Sequence, residues 1–441
     1  MTRTVPTQAG PDQKNTASAR KVAVASLIGT AIEWYDFYIY GIAAALVLGP
    51  QFFPSFSSVG GTLAAFATFA VGFVARPVGG MIAGHLGDKV GRKSMLVATL
   101  LAMGAATFCI GLLPTYDTIG VWAPILLVTL RFVQGIAAGG EWGGAALMAV
   151  EFAPAGKRGF YGSFPAMGVP AGLVLSNGVF LLLNAFTTEK EFAAWGWRIA
   201  FLSSIVLVVV GLFIRLAIGE SPEFVKAKQE NDQSKFPLGE VVRRSPKQVL
   251  LACGAHIGIN AMGYLFLVYA LSYMTKVVGF TRQQVLIALV CSSLVWLAAL
   301  APAGKWSDRV GRRKVFLVGT GAMALWSIAF FPLMDTKSMP LALVALGGMA
   351  LTLGISYGPQ AALFSEMFNT RVRYSGASLG YQLGATFGGG IAPFIATALY
   401  SATGGSASVA AYMVVVSLIS VVSVAAIAET YRRDLGDVTK G

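Results

Sequence analysis

The chain has little charge, little histidine and little cysteine. Only 12% of its 441 residues are Asp, Glu, Lys or Arg, against 56% hydrophobic, and the mean hydropathy is +0.69. Such a composition cannot cover a water-facing surface, so a soluble globular fold is excluded and lipid must be most of the solvent. The two histidines, His85 and His256, fall on distant segments, and no Cys/His ligand spacing exists, so a metal site or a convergent nucleophile and base is not expected. Cys109, Cys253 and Cys291 lie far apart in apolar runs and read as small buried hydrophobes rather than a disulfide framework. No Gly-x-x-x-x-Gly-Lys-Ser/Thr loop is present, which disfavours a nucleotide-driven pump. No enzyme activity, cofactor or metal is expected.

What the chain has in quantity is apolar run. A span of the ~30 Å hydrocarbon core takes about twenty helical residues. Twelve such spans are predicted, at approximately 22–47, 60–86, 95–113, 121–150, 160–185, 197–218, 248–275, 283–304, 314–332, 339–364, 374–400 and 408–428. The expected fold class is therefore an all-α membrane protein of twelve transmembrane helices. The first 20 residues are polar and rich in Thr, Gln, Pro and Ala, which predicts a disordered tail and not the basic-then-apolar layout of a signal peptide.

Basic residues orient these spans. With the N-terminus inside, 25 of the 33 Lys and Arg fall on the cytoplasmic side, while only Lys190, Arg198, Lys276, Arg282 and Lys337 lie outside. That asymmetry places both termini in the cytoplasm. It also accounts for the net charge of +13 as topology signals and contacts with anionic lipid, spread over every inner loop, so nucleic-acid binding is not expected.

The sequence repeats itself at long range. Gly84-His-Leu-Gly-Asp88-Lys-Val-Gly91-Arg92-Lys93 recurs as Gly304-Lys-Trp-Ser-Asp308-Arg-Val-Gly311-Arg312-Arg313, at an offset of 220 residues for Gly84, Asp88, Gly91 and Arg92 alike. A second echo pairs Glu151, Lys157-Arg158 and Tyr161-Gly162-Ser163 with Glu366, Arg371, Arg373 and Tyr374-Ser375-Gly376. An even number of spans separates each pair, so two halves run parallel. The expected organisation is a cytoplasmic tail (1–20), a six-helix bundle (21–218), a polar linker (219–247), a second six-helix bundle (248–430) and a second tail (431–441). In the repeated loops, Gly91 and Gly311 permit a tight turn, Asp88 and Asp308 can accept backbone hydrogen bonds at a helix N-terminus, and the basic residues anchor the turn at the headgroups.

These two loops resemble the signature of the major facilitator superfamily. Within it, Glu33-Trp-Tyr-Asp36-Phe-Tyr-Ile-Tyr-Gly41, Arg76-Pro77-Val-Gly79-Gly80, Arg131-Phe-Val-Gln134-Gly135, Gly139-Gly140-Glu141-Trp142-Gly143-Gly144 and Glu220-Ser-Pro-Glu-Phe224 resemble the metabolite:proton symporters. The resemblance implies two pseudo-symmetric six-helix bundles, alternating access and proton coupling, with a small organic anion and a proton as partners and a monomeric state. The segments 61–73, 122–131 and 374–381 look most like the shikimate transporter branch. Other branches carry ketoglutarate, citrate, dicarboxylates or zwitterionic osmolytes. The osmosensing proline and betaine branch carries a long heptad extension where this chain stops shortly after its twelfth span, which points away from that branch. A channel or a solute sensor on the same scaffold is the non-transporting alternative.

The chemistry is expected at the intramembrane charges, since each costs a few kcal/mol at the bilayer centre unless paired or hydrated. Glu33 and Asp36 stand at i and i+3 on one helix face. Counting ~1.5 Å per residue places Glu33 and Arg131 near the midplane, with Arg76 deeper and Glu141 near the inner end of its helix. The candidate proton-coupling acids are Asp36, Glu33 and Glu141, with Asp36 expected to compete with substrate for Arg131. The candidate substrate-binding residues are Arg131, Arg76, Gln134, His256, Asn260, Tyr264, Tyr357, Gln360, Tyr381 and Gln382. For each of these, a static ion pair or interhelical hydrogen bond is the alternative role. Gly84, Asp88, Gly91, Arg92, Lys93, Gly304, Asp308, Gly311, Arg312 and Arg313 are the expected conformational-switch loops. Gly376, Gly380, Gly384 and Gly388 form a small stripe for close helix contact.

Overall fold

The computed structural model describes residues 11–90, 92–216, 237–368 and 373–432. Every element in them is helical. Among the described residues, twelve helices are long and apolar enough to cross a membrane: α1 Ser18–Phe52, α2 Val59–Ala83, α3 Ser94–Leu112, α4 Trp122–Glu151, α5 Arg158–Phe186, α6 Glu189–Leu216, α7 Pro246–Val278, α8 Arg282–Val310, α9 Arg312–Asp335, α10 Met339–Met367, α11 Arg373–Thr403 and α12 Ala407–Ala426. Most ends lie within a few residues of those read from hydropathy. Helix α6 starts eight residues early, because a capping box in a charged stretch nucleates it: the Glu191 carboxylate accepts the Thr188 N–H at 2.8 Å and Thr188 Oγ1 accepts the Glu191 N–H at 3.3 Å. The helix that contains α1 begins at Pro11, so residues 11–20, expected as part of a disordered tail, are helical. Proline suits that first position, where its missing N–H has no helical partner to lose. Of the expected linker (219–247), 219–236 lie outside the described residues, as do 217 and 218 before it, while Pro237–Arg244 form a short helix before α7.

The repeated segments are helical almost to their ends, which corrects the expectation of two loops. The helix carrying α2 continues to Val90 and includes Gly84 and Asp88; α8 includes Gly304 and Asp308. No residue in Lys305–Val310 breaks a helix, so the turn is confined to Gly311, at φ 113° and ψ 149°. That backbone needs glycine, and a Cβ there would also strike the Glu429 carboxylate, which accepts the Arg312 N–H at 2.8 Å. Gly91 lies outside the described residues, as do the side chains of Asp88, Arg92 and Lys93.

Helices α1–α6 and α7–α12 form two bundles that meet mainly along two seams, α5 against α8 and α2 against α11. Advancing the numbering by six helices turns one seam into the other, which is the quasi-two-fold relation a parallel internal repeat requires. The glycine stripe of α11 lies against α7: Gly384 and Gly388 approach the backbone carbonyls of Cys253 and Ile257.

The halves are tied at both ends and between. At the end holding the repeats, the Asp308 carboxylate accepts the N–H groups of Gly159 (2.8 Å) and Phe160 (2.9 Å) at the first turn of α5. It therefore does cap a helix N-terminus, but one in the other half. Asp308 also pairs with Arg312 at 2.6 Å, and Arg312 with Glu366 at 3.3 Å. Midway, Gln382 Nε2 donates to the Gly139 carbonyl (2.8 Å) and Thr386 to the Phe73 carbonyl (2.9 Å). At the opposite end, Lys276 Nζ donates to Thr62 (3.0 Å) and Arg282 to Asn184 (2.9 Å). The two halves are thus hydrogen-bonded to each other at both ends.

Candidate functional site

Helices α2 and α4 touch backbone to backbone, because a Cβ at Gly135 or Gly139 would collide with the carbonyls of Gly72 and Arg76. This contact brings two fully buried guanidiniums, Arg76 and Arg131, against the aromatic face of α1. Arg76 lies 4.0 Å from the Phe37 ring centre, 4.6 Å from that of Phe73 and 5.3 Å from that of Trp34. Arg131 lies 4.0 Å from Tyr40, 4.8 Å from Phe37 and 5.2 Å from Phe69. Phe37 is thus shared by two like charges, each attracted to its ring.

The acids of α1 divide between these bases. Glu33 pairs with Arg76 at 3.7 Å. Asp36 does not pair with Arg131. It reaches Arg131 through two neutral side chains: Thr107 Oγ1 is 2.9 Å from Asp36 Oδ2, Gln134 Nε2 donates to Thr107 Oγ1 at 2.8 Å, and Arg131 donates to Gln134 Oε1. Direct contact between Asp36 and Arg131, as expected from sequence, is therefore replaced here by a chain, because Thr107 and Gln134 fill the space between them. Glu141 is held apart from both, in an ion pair with Arg215 of α6, which also donates to the Leu96 carbonyl of α3.

The second half presents a neutral network to this charged one. His256 Nδ1 is 2.8 Å from Gln360 Nε2 and 3.2 Å from its Oε1, and His256 Nε2 is 3.0 Å from Asn260 Nδ2. The Tyr357 and Tyr381 hydroxyls are 3.1 Å apart. Tyr381 stacks with His256 at 4.0 Å and with Trp142 of the first half at 3.7 Å, nearly parallel at 9°. Tyr264 enters the first half, edge-on to Phe73 at 5.0 Å and Phe69 at 5.3 Å.

Buried polar groups normally find partners. Here a set of them has no hydrogen bond: all three nitrogens of Arg76, Glu33 Oε2, Trp34 Nε1, Tyr38 Oη, Tyr264 Oη and Asn260 Oδ1. Both halves contribute. The set offers a cation and several N–H and O–H donors together with two acceptor oxygens, which suits a carboxylate bearing hydroxyl groups.

Of the residues named from sequence, Arg76, Glu33, His256, Asn260, Tyr264, Tyr357, Gln360 and Tyr381 come together where the halves meet. Arg131, Gln134 and Asp36 form a layer within the first bundle, Gln382 bridges the halves, and Glu141 stands in a separate ion pair. Sequence reasoning passed over Thr107, Arg215 and the roles of Trp34, Tyr38 and Trp142. A hydroxyl in the apolar run 100–113 and a guanidinium in the apolar run 204–216 were the available signals.

Two bundles of six membrane-crossing helices around a buried polar centre define a carrier, a protein that moves small molecules across a membrane. A family model described as Major Facilitator Superfamily matches residues 26–380 and 254–438. The chain belongs to the Major Facilitator Superfamily. It is 44% identical over 410 residues to the shikimate transporter of Escherichia coli K12, covering 91% of this chain and 93% of that one. It is likewise 44% identical over 385 residues to the inner membrane metabolite transport protein YhjE of Escherichia coli K12, covering 86% and 87%. To the proline/betaine transporter of the same organism it is 34% identical over 429 residues, covering 95% and 85%. Among solved structures, the proton:xylose symporter XylE bound to 6-bromo-6-deoxy-D-glucose superposes with a TM-score of 0.77 over 96% of this chain and 99% of that one, at 15% identity, a likeness of fold alone. The protein is a multi-pass membrane transporter of small molecules, and not an enzyme.

Proposed function

We propose that the protein is a proton symporter of the inner membrane that takes up a small hydroxylated organic acid, with shikimate as the leading substrate, by alternating access. The observation that carries this reading is a balance of buried charge. Among the described residues the first bundle buries three bases, Arg76, Arg131 and Arg215, and three acids, Glu33, Asp36 and Glu141. With all six ionised, the interior is neutral before substrate enters. A substrate carboxylate at Arg76 adds one negative charge, and an uncompensated charge in that setting costs several kcal/mol. Taking up one proton on a nearby acid restores neutrality. Asp36 is the first choice for that proton, with Glu33 as the alternate.

In this cycle the carboxylate replaces Glu33 at Arg76, gripped by two parallel hydrogen bonds, while its hydroxyls complete Asn260, Tyr38 and Tyr264. The neutral loaded centre permits closure, and rocking of the two bundles opens it to the other side. The basic asymmetry of the loops puts the repeats and both termini in the cytoplasm, beside anionic lipid, and each bundle pair works as a monomer.

The test is uptake by the purified chain in liposomes, driven by an imposed pH gradient, with shikimate against citrate, ketoglutarate and proline. Shikimate should accumulate with about one proton per carboxylate, by the neutrality argument. Accumulation of proline with shikimate ignored, or shikimate uptake indifferent to the pH gradient, would overturn the reading.

A further inference from the structure

Thr107 holds more contacts than one hydroxyl can serve in a single orientation. Its Oγ1 lies 2.9 Å from Asp36 Oδ2 and 3.0 Å from the Met103 carbonyl oxygen, two acceptors, and it receives the Gln134 amide at 2.8 Å. A hydroxyl has one proton to donate and two lone pairs to accept with. It cannot donate to both oxygens at once.

We propose that Thr107 is the positioning residue of the proton step, a hydroxyl that turns between Asp36 and the Met103 carbonyl as Asp36 loses and gains its proton. The proposal rests on the reading that Asp36 is the coupling acid. When Asp36 is ionised, the Thr107 proton points to Oδ2 and one lone pair accepts from Gln134. When Asp36 takes a proton from water, its new O–H donates to Thr107 Oγ1, and the Thr107 proton turns to the Met103 carbonyl. The second lone pair then serves Asp36 and the first still serves Gln134. Asp36 Oδ2, Thr107 Oγ1 and the Gln134 amide keep their partners in both states, and only one hydrogen has rotated; Asp36 Oδ1 has no partner.

The surroundings leave this switch to Thr107. The charged or titratable groups facing Asp36 are Glu33 and Tyr35 of its own helix and Arg131 of α4. Tyr35 is occupied with the Ala200 carbonyl (2.8 Å) and Ser203 (2.9 Å) of α6, and Glu33 with Arg76 at 3.7 Å. Arg215, the buried base of α6, is taken by Glu141. Arg131 reaches Asp36 only by way of Gln134 and Thr107, so the same hydroxyl also fixes the amide that holds the guanidinium.

Thr107→Val keeps the shape and removes the switch. The ionised carboxylate loses a charge-assisted hydrogen bond, the protonated one only a neutral bond, so the protonated form gains relative to wild type. The readout is infrared titration of the buried carboxyl band that disappears in Asp36→Asn, on the full chain in liposomes, beside the pH profile of shikimate exchange. Thr107→Val should move the midpoint of both upward by about one pH unit, a tenfold change in proton affinity. Thr107→Ser should restore the wild-type midpoint. If no band titrates away in Asp36→Asn, the choice of Asp36 as acid fails. If the band titrates and Thr107→Val leaves its midpoint in place, or Thr107→Ser shifts as far as Val, the proposal for Thr107 fails alone. Should the valine variant not fold, Thr107→Cys, a weaker donor, must give a shift of the same sign or the proposal is wrong.

Discussion

The two halves share a fold and divide the chemistry. In the first, Arg76, Arg131 and Arg215 are buried with Glu33, Asp36 and Glu141 in the body of the bundle. In the second, the charges buried among the described residues, Arg312, Glu366 and Arg373, sit at the end that holds the repeats, and the centre is built from His256, Asn260, Tyr264, Tyr357, Gln360 and Tyr381. One half holds ion pairs within the membrane, and the other holds a network of uncharged hydrogen-bonding side chains with one imidazole, His256. The difference separates two tasks. On the proposed function, net charge, and hence the proton, belongs to the first bundle, and shape and hydroxyl pattern belong to the second.

The sharpest way to break this division is at Arg76. Arg76→Lys keeps the charge and loses the planar fork, so shikimate affinity, measured by competition in exchange assays, should fall about a hundredfold. An unchanged affinity would move the anion site elsewhere. Next comes the Glu141–Arg215 pair, which the geometry makes a lock between α4 and α6. Arg215→Met should leave Glu141 buried and unpaired and destabilise the bundle by about 3–5 kcal/mol, read as a drop in unfolding temperature in detergent. Adding Glu141→Met should recover most of that loss and keep pH-driven uptake. If the double variant is stable but uncoupled, Glu141 belongs to the proton path and the lock reading fails. The smallest effect is expected in the second half. Asn260→Ala should weaken shikimate about tenfold while leaving a non-hydroxylated ring acid unchanged, because only the hydroxylated ligand uses the lost oxygen. A change in proton stoichiometry in that variant would erase the division between the halves.

Much of this was legible in the sequence, and for identifiable reasons. Lipid demands apolar runs of nearly fixed length, so the twelve helices and their parallel repeat could be read directly. Helix α6 was read short because hydropathy is blind to a capping box. The partners of the charges were not legible either. Glu33 and Asp36 are three residues apart and share a face, yet on a helix of 3.6 residues per turn they point about 60° apart. That angle is enough to send one to Arg76 on α2 and the other to Thr107 on α3. Thr107 itself is hidden by its type: hydroxyls in these spans commonly turn back to the carbonyl four residues before, as Thr320 and Ser417 do. Nothing in one strand of sequence says which of them has a second acceptor waiting on another helix.

The pairing of three bases with three acids in the first bundle also has an electrical consequence. Moving one elementary charge through the full membrane potential is worth about 2.3 kcal/mol per 100 mV, a force that would drive or stall any carrier whose centre is charged. In the proposed cycle the empty centre is neutral, and the centre loaded with one carboxylate and one proton is neutral again. Neither half of the cycle carries current. Such a carrier draws on the difference in acidity across the membrane and ignores the voltage, so it keeps working in a cell whose potential has collapsed as long as the outside stays acidic.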